Sequence, residues 1–250
     1  MARRPLKRAA AASTASSPAA RIVGLDALRG VALVAMAAYH FCFDLRWFGL
    51  AHWDFEHDLR WVAARSLILG SFLLIAGASL VLASQRADAV RVFVRHWLRI
   101  ALAALLVTVA SYAAFPQTFI RFGVLHAIAV TLVLALPLVP RPRTAFMIGI
   151  LVVVAGIVVA DARFDAPMLH WIGFMTHRPA TEDYVPLFPW SGVLLAGIPL
   201  GHALLRRGPG ALARVARLPS LVPLLGRHSL LVYLVHQPVL IALLWLVTRR

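Results

Sequence analysis

GLDALRGVALVAMAAYHFCFDL, residues 24–45, is apolar enough to cross a membrane, yet it carries four ionisable side chains. These are Asp26, Arg29, His40 and Asp44. An ionisable group at the centre of a membrane helix costs at least about 2.5 kcal/mol, so such groups normally face a bundle interior or a water-filled cavity. The segment therefore predicts a membrane-spanning helix that contributes side chains to a functional site.

The composition indicates a membrane protein throughout. Of the 250 residues, 61% are hydrophobic and only 14% are charged, and the mean hydropathy is +0.82. Soluble domains have roughly half apolar and a quarter charged residues. Because the apolar residues form long runs, we predict an all-α integral membrane protein.

Seven apolar segments approach the length of about 20 residues that a helix needs to cross the hydrocarbon. They cover residues 24–46, 61–84, 96–115, 119–138, 144–161, 187–206 and 228–248. We predict a polytopic bundle of about seven transmembrane helices, with one domain over residues 21–250. The basic, Ala/Ser-rich residues 1–20 are predicted to be a disordered cytoplasmic tail.

The arginines set the expected orientation. The formal net charge of +15 does not indicate nucleic-acid binding, because the arginines cluster in short connections and form no basic face. Those connections alternate with acidic, aromatic or His-rich ones at residues 47–60 and 162–186. The positive-inside rule then places the N-terminus in the cytoplasm. Residues 209–226 are predicted to be a surface helix or loop, broken by Pro219 and Pro223.

The four ionisable groups of the first span share one face. At 100° per residue they lie within about 60° of one another, and Arg29 and His40 are about 16 Å apart along the axis. Asp44 follows His40 by four residues, where its carboxylate can bond to the imidazole and orient it as a base. The alternative is a structural Asp26–Arg29 pair and a structural His40–Asp44 hydrogen bond.

Further polar residues lie in or beside later spans. His236 shares a helix face with Tyr233 and is a second catalytic candidate, although a helix-packing hydrogen bond is the alternative. Arg121 and His126 begin the fourth span, and function and packing are equally compatible with His126. Candidate acceptor contacts are His126, Arg121, Asp183, Trp190 and Tyr233. The outer segment HWDFEHD, residues 52–58, matches a metal site only loosely, so no metal is predicted.

Four segments together resemble one family. They are LDALRGVALVAMAAYHFCFDL (25–45), FGVLHAIAVT (122–131), DYVPLFPWSG (183–192) and LGRHSLLVYLVHQP (225–238). In this order they resemble the bacterial DUF1624 family, which is related to heparan-α-glucosaminide N-acetyltransferase in the transmembrane acyltransferase superfamily. The resemblance runs from about Leu25 to Pro238. The start of the first segment, LDALRG, is shared more broadly with the acyltransferase-3 family.

The resemblance implies a reaction and the roles of several residues. Acyl-CoA, with acetyl-CoA as the expected donor, would enter from the cytoplasm, and the acyl group would pass to a sugar on the far side. His40 would be the base or the acyl-carrying residue, and Arg29, next to Asp26, would lie toward the CoA phosphates. The lysosomal relative has asparagine at the position of His40 and its essential histidine in the following segment. His52 and His57 both remain open as its counterpart.

We therefore expect a membrane-embedded acyltransferase of the bacterial inner membrane, acting on an amine or hydroxyl of a cell-envelope sugar. Its expected partners are membrane lipids, acyl-CoA and the sugar acceptor, with a homodimer as one option and no nucleic acid. One rival is a transporter or exporter that uses the same polar residues as a proton relay. A second rival is a scaffold in which these residues only fix helix packing.

Overall fold

The computed structural model describes residues 23–249, which form helices joined by turns and loops, with no strand in that range. The all-α prediction is confirmed for this part of the chain. The predicted tail, residues 1–20, lies outside the described residues.

Nine α-helices follow one another along the described chain. They are α1 (Val23–Trp47), α2 (Leu59–Ser84), α3 (Ala89–Ala114), α4 (Val124–Ala135), α5 (Pro142–Val158), α6 (Leu187–Arg207), α7 (Ala213–Ala216), α8 (Leu221–Arg227) and α9 (Ser229–Thr248). Short 3₁₀ turns cover Leu136–Leu138, Ala162–Asp165 and Pro209–Leu212.

Five of these helices are long and apolar enough to cross a membrane, namely α1, α2, α3, α6 and α9. The fourth and fifth predicted spans correspond to shorter apolar helices, Val124–Leu138 and Pro142–Val158. The chain is therefore a membrane protein, and the count of seven spans stays a prediction, as does the side of the N-terminus.

Two predicted boundaries move for local reasons. Helix α3 already begins at Ala89, because the segment 91–99 contains neither proline nor glycine to interrupt the helix. Helix α4 begins only at Val124, because residues 115–123 form turns and an extended Gly123 precedes the helix. Each change lengthens or shortens a helix without altering the order of the elements.

Helix α6 lies at the centre, packed against α2 and α5. Glycines permit this close approach, since a Cβ added at Gly77 would overlap the carbonyl oxygen of Leu194, and one at Gly197 would overlap that of Leu74. The fully buried side chains of Leu73, Leu194 and other apolar residues form the core around this contact. Close packing of small residues is the usual way for membrane helices to associate, because the hydrophobic effect does not drive them together there.

The first half of α1 packs against the short helix α8. A Cβ at Gly226 would overlap the carbonyl oxygen of Asp26, and one at Gly30 would overlap that of Val222. Residues 209–226 are short helices and turns, in line with the prediction, but Pro223 does not break α8. It occupies the first turn of that helix, where its missing N–H removes no helical hydrogen bond.

Candidate functional site

The two intramembrane histidines come together in the fold. The rings of His40 on α1 and His236 on α9 have centroids 5.0 Å apart and planes at 62°. They are 196 positions apart in the chain, and the contact between α1 and α9 joins them. The fold brings these two catalytic candidates into contact, and their catalytic roles stay predictions.

The hydrogen bonding of His236 determines its tautomer. Its Nδ1 lies 2.6 Å from the backbone carbonyl oxygen of Tyr233. A carbonyl oxygen only accepts, so Nδ1 must carry a hydrogen and donate it. In the neutral ring, Nε2 then holds a lone pair, and within residues 23–249 this buried atom has no hydrogen-bond partner. His236 therefore presents a free basic nitrogen.

Asp44 does not orient His40 as the sequence predicted. Its buried carboxylate accepts a 2.7 Å hydrogen bond at Oδ1 from the side-chain Nε2 of Gln237. The other oxygen, Oδ2, is buried without a partner among the described residues. The prediction fails because α9 brings an amide donor to the carboxylate, so Asp44 pairs across helices rather than along its own helix.

The Arg29 end of the bundle has a formed ion pair. Arg29 donates from Nη1 to Asp26 Oδ1 over 2.9 Å and from Nη2 to the hydroxyl of Ser79 on α2. The pair at i and i+3 considered as the structural alternative is therefore present. Arg29 and Arg99 also act electrostatically on His96 of α3, so this end concentrates positive charge.

His96 and Arg99 were missed as part of the site by sequence reasoning. Both lie at the start of the third predicted span, residues 96–115, and only the packing of α3 in the bundle places them near Arg29. Arg99 follows His96 by three residues, so the two share a helix face. That spacing was the one signal available in the sequence.

The opposite end of the bundle, here the Asp183 end, is organised by a loop carboxylate. Asp183 Oδ2 accepts a 2.9 Å hydrogen bond from the backbone N–H of Val124 and so caps α4. Burial raises the pKa of Asp183, while Arg178 and Arg65 oppose that shift. Asp183 also acts electrostatically on Tyr233, which links this loop to the helix that carries His236.

Two arginines at this end were also missed. Arg178 lies in the loop before α6, and burial lowers its pKa, with the nearby Arg65 acting in the same direction. Arg65 lies inside the second predicted span, so an intramembrane cation should have marked it as a candidate. Arg178 follows no motif, and only the folded loop brings it toward Asp183.

The structure gives His126 a packing role. Its Nδ1 accepts from the backbone N–H of Gly123 at 3.3 Å, and its Nε2 lies 3.1 Å from the Thr108 hydroxyl. That hydroxyl donates to the carbonyl oxygen of Ile120, so it accepts from Nε2–H of His126. Both ring nitrogens are engaged in holding α4 to α3, which favours the packing alternative.

Two further acceptor candidates take peripheral or supporting positions. The exposed Arg121 lies over the ring of Phe119 at 4.9 Å. Trp190 packs against the core cluster from the start of α6. An acceptor role for either residue stays a prediction.

The first loop of the Asp183 end holds an open depression of about 500 Å³, lined by Arg46, Gly49, Ala51, His52, Trp53, Asp54, Glu56 and His57. His57 Nδ1 lies 3.1 Å from the Asp54 carboxylate, and both side chains are exposed. Within residues 23–249 no three His, Cys, Asp or Glu side chains come together as a metal site. The absence of a metal remains a prediction.

Fold and site define a polytopic helical membrane protein with a histidine pair inside the bundle and charged groups toward both ends. The chain belongs to the family described as heparan-alpha-glucosaminide N-acetyltransferase, catalytic, whose model matches residues 21–238. This match confirms the resemblance identified in the sequence and makes the protein a membrane-embedded acyltransferase by family. No curated protein and no solved structure gives a significant match to the chain.

Proposed function

We propose that this protein transfers an acetyl group from cytoplasmic acetyl-CoA to an amine or hydroxyl of a cell-envelope sugar, across the bacterial inner membrane. The observation that carries the proposal is the buried Nε2 of His236, which has no hydrogen-bond partner among residues 23–249. His236 lies next to the ring of His40, between two charged ends of the bundle. A base of this kind is what acyl transfer to a neutral or protonated nucleophile requires.

The Arg29 end suits the donor. Arg29 and Arg99 place positive charge there, beside His96, and CoA carries phosphates at the end remote from its acyl group. Acetyl-CoA, when bound, supplies the acetyl group as a reactive thioester. Because Arg29 is already held by Asp26 and Ser79, its guanidinium has a defined position from which to meet a phosphate.

The histidine pair suits the chemistry. His236 is the acceptor's base, because its Nδ1–H is fixed on the Tyr233 carbonyl and its Nε2 is left to take a proton. His40 lies against it and either shares the proton or carries the acyl group transiently, as imidazole does in both kinds of catalysis. Asp44 acts through Gln237 rather than on His40.

The Asp183 end suits the sugar. Arg65, Arg178 and Asp183 interact there, and Asp183 also acts on Tyr233. These residues provide charged groups for a polar acceptor. The loop between α5 and α6 also carries Tyr184, whose hydroxyl donates to the His170 carbonyl. The acceptor would then approach the histidine pair from the face opposite the donor.

The test is acetyl transfer by the purified protein in lipid nanodiscs, with labelled acetyl-CoA and glucosamine as the trial acceptor. We expect His236→Ala and His40→Ala to lower kcat by roughly 10²- to 10⁴-fold. His202→Gln is the control, since His202 donates to the Val139 carbonyl and retains a donor in that variant. Absence of both CoA binding and turnover in the wild type would refute the proposal and favour transport.

A further inference from the structure

An apolar groove lies between α5 and α6, on helices other than α1 and α9, which carry the histidine pair. Its cavity measures about 220 Å³, and apolar side chains line it, among them Phe146, Ile150 and Val154 of α5 and Ala196 of α6. The three α5 side chains are each about half exposed. Apolar side chains exposed on a membrane helix face the lipid tails, which are as apolar as they are. The groove therefore opens toward the bilayer.

Glycines set the depth and the direction of the groove. Gly149 and Gly192 belong to its lining, and a Cβ added at Gly192 would overlap the carbonyl oxygen of Gly149. The two backbones thus touch where no side chain fills the space above them. Further along, a Cβ at Gly156 would overlap the backbone of Pro189. The pairing moves up α5 as it moves down α6, so the helices are antiparallel, and α5 begins where α6 ends.

Each wall of the groove leads to an arginine at that shared end. Arg143, in the first turn of α5, lies within about 40° of Ile150 and Val154 around the helix. Arg207, the last residue of α6, lies about 20° from Ala196 by the same measure. Both arginines are exposed. They are here called the groove arginines.

A hydrogen bond joins the two helix ends that carry the groove arginines. His202 Nε2 donates to the carbonyl oxygen of Val139 over 2.8 Å, which ties α6 to the connection before α5. Arg143 follows Val139 by four residues and Arg207 follows His202 by five. Each arginine is therefore one to two helical turns from the same bond. The groove has one apolar length and one cationic end.

The protein's own acids do not compensate this positive end. Residues 89–160 and 184–250 contain no aspartate or glutamate. Among the helix ends assigned to the same side of the membrane, Asp26 is already paired with Arg29 and Asp88 with Arg86. An anion from outside the chain can therefore bind the groove arginines without displacing an internal partner.

An anionic phospholipid has both of the required parts. An acyl chain matches the apolar groove, and a phosphate accepts paired hydrogen bonds from guanidinium groups. The connections that hold the groove arginines are among those assigned to the cytoplasm, and basic pockets between helices on that side favour anionic headgroups. A second copy of the chain fits less well. A twofold axis along the membrane normal would bring the groove arginines of both copies together at one depth, where like charges repel.

We propose that the groove between α5 and α6 binds one anionic phospholipid, with an acyl chain along Phe146, Ile150 and Val154 and the phosphate on the groove arginines. The site is independent of the proposed acyl transfer. Helix α5 packs chiefly against α6. A lipid that contacts both helices adds to that packing, so it stabilises the folded protein.

The first experiment measures thermal unfolding of the purified, delipidated wild type in detergent. Dioleoyl phosphatidylglycerol should raise the melting temperature by several degrees, because a ligand that binds only the folded state stabilises it. Dioleoyl phosphatidylcholine has the same chains and no net charge, and glycerol 3-phosphate has the phosphate and no chains. Both should give much smaller shifts. An equal rise with either compound, or no rise with phosphatidylglycerol, would overturn the proposal.

Paired substitutions test the groove arginines. Arg143→Gln together with Arg207→Gln should raise the apparent Kd for phosphatidylglycerol on the order of 30-fold, since each basic residue near an anionic headgroup contributes roughly fivefold. Arg95→Gln together with Arg217→Gln is the matched control, because it removes the same charge from two other exposed arginines. Equal losses in the two double variants would show general attraction to anionic lipid and would overturn the proposal.

Native mass spectrometry tests the groove itself. The wild type should retain one phosphatidylglycerol, and Ala196→Leu, which adds a larger side chain to the groove, should lose it. Ala110→Leu, on an exposed position of α3, should keep the lipid. Equal retention in Ala196→Leu would overturn the proposal. A spectrum of paired chains that Ala196→Leu converts to single chains would also overturn it and assign the groove to a second copy.

Discussion

The environment that the folded loops create changes the properties of single residues, and Asp183 is the clearest example. Its carboxylate caps α4 through the Val124 N–H, yet burial raises its pKa despite the nearby Arg178 and Arg65. When folding raises the pKa of an acid, the folded protein binds the proton more tightly than the unfolded protein does. The stability of the fold therefore decreases as the pH rises and the proton is lost. Asp183 therefore combines a structural bond with a dependence on pH that a surface aspartate lacks.

We predict that the stability of the wild type relative to Asp183→Asn falls as the pH rises from about 4. The fall begins there because the ordinary pKa of this aspartate is 3.8 and folding raises it. The asparagine variant keeps an oxygen to cap α4 but does not titrate. The difference should change by at most about 1.4 kcal/mol per pH unit, the limit for one proton. Thermal unfolding in detergent between pH 4 and 7 measures it, and parallel curves would contradict the raised pKa.

Helix elements in this protein are joined through glycines and a few polar bonds. Along α2, Gly77 faces the backbone of α6 without room for a side chain, whereas a Cβ at Gly70 would meet only the Cγ1 of Val193, at 3.8 Å. A side chain therefore fits at Gly70 but not at Gly77, although both glycines lie in α2. Gly70 shows only ordinary contact, so its substitution tests helix propensity alone.

We predict that Gly77→Ala destabilises the bundle by several kcal/mol, because a backbone carbonyl must move to make room. Gly70→Ala should be neutral or stabilising by up to about 1 kcal/mol, since alanine favours a helix over glycine. Thermal melting of both variants in the same detergent gives the comparison. Similar losses in the two variants would show that the α2–α6 contact is looser than described.

The His126 bonds between α3 and α4 give a second prediction for the elements. His126→Leu leaves the Gly123 N–H and the Thr108 hydroxyl without their partner, so we expect a loss of about 1–3 kcal/mol in stability. The kcat per folded molecule should change little. A large fall in kcat at unchanged melting temperature would instead favour a role in acceptor binding.

The whole molecule has a predicted direction in the membrane, set by its arginine-rich connections. Ala87, between α2 and α3, and Met168, between α5 and α6, are exposed and lie in connections assigned to opposite sides. The only native cysteine, Cys42, can be replaced first. In a Cys42→Ala background, we expect Met168→Cys to react with a membrane-impermeant maleimide in intact cells.

Ala87→Cys should react only after the cells are permeabilised. Mass shifts on a gel give the measurement, and labelling of both positions in permeabilised cells shows that each cysteine is reactive. The reverse pattern in intact cells would invert the orientation, and with it the side from which the donor enters.

Much of the site's membership was readable from the sequence. His40, Asp44 and His236 are costly inside apolar runs, and that cost alone marks them as inward-facing groups. Arg65 carried the same signal and was overlooked. Gln237 gave a weaker signal in the sequence, because burying an amide costs less than burying a charge. Gln237 also stands directly after His236, which is the more obvious candidate.

The pairing of these groups was not readable, and Asp44 shows why. Spacing along one helix allowed a bond to His40 at i and i+4, but it says nothing about competing donors on other helices. The contact with Gln237 joins positions separated by 193 residues, and it depends on how α9 crosses α1.

By itself, the sequence determined the helical class, the membrane setting, the order of the apolar segments and the family, because these depend on composition, local periodicity and motifs. Only the tertiary structure decided which polar groups meet, namely the His40–His236 pair and the Asp44–Gln237 bond. It also left Nε2 of His236 without a hydrogen-bond partner among the described residues. The physical reason is that the cost of burying each group is local, whereas its partner is chosen by packing between helices far apart in the chain.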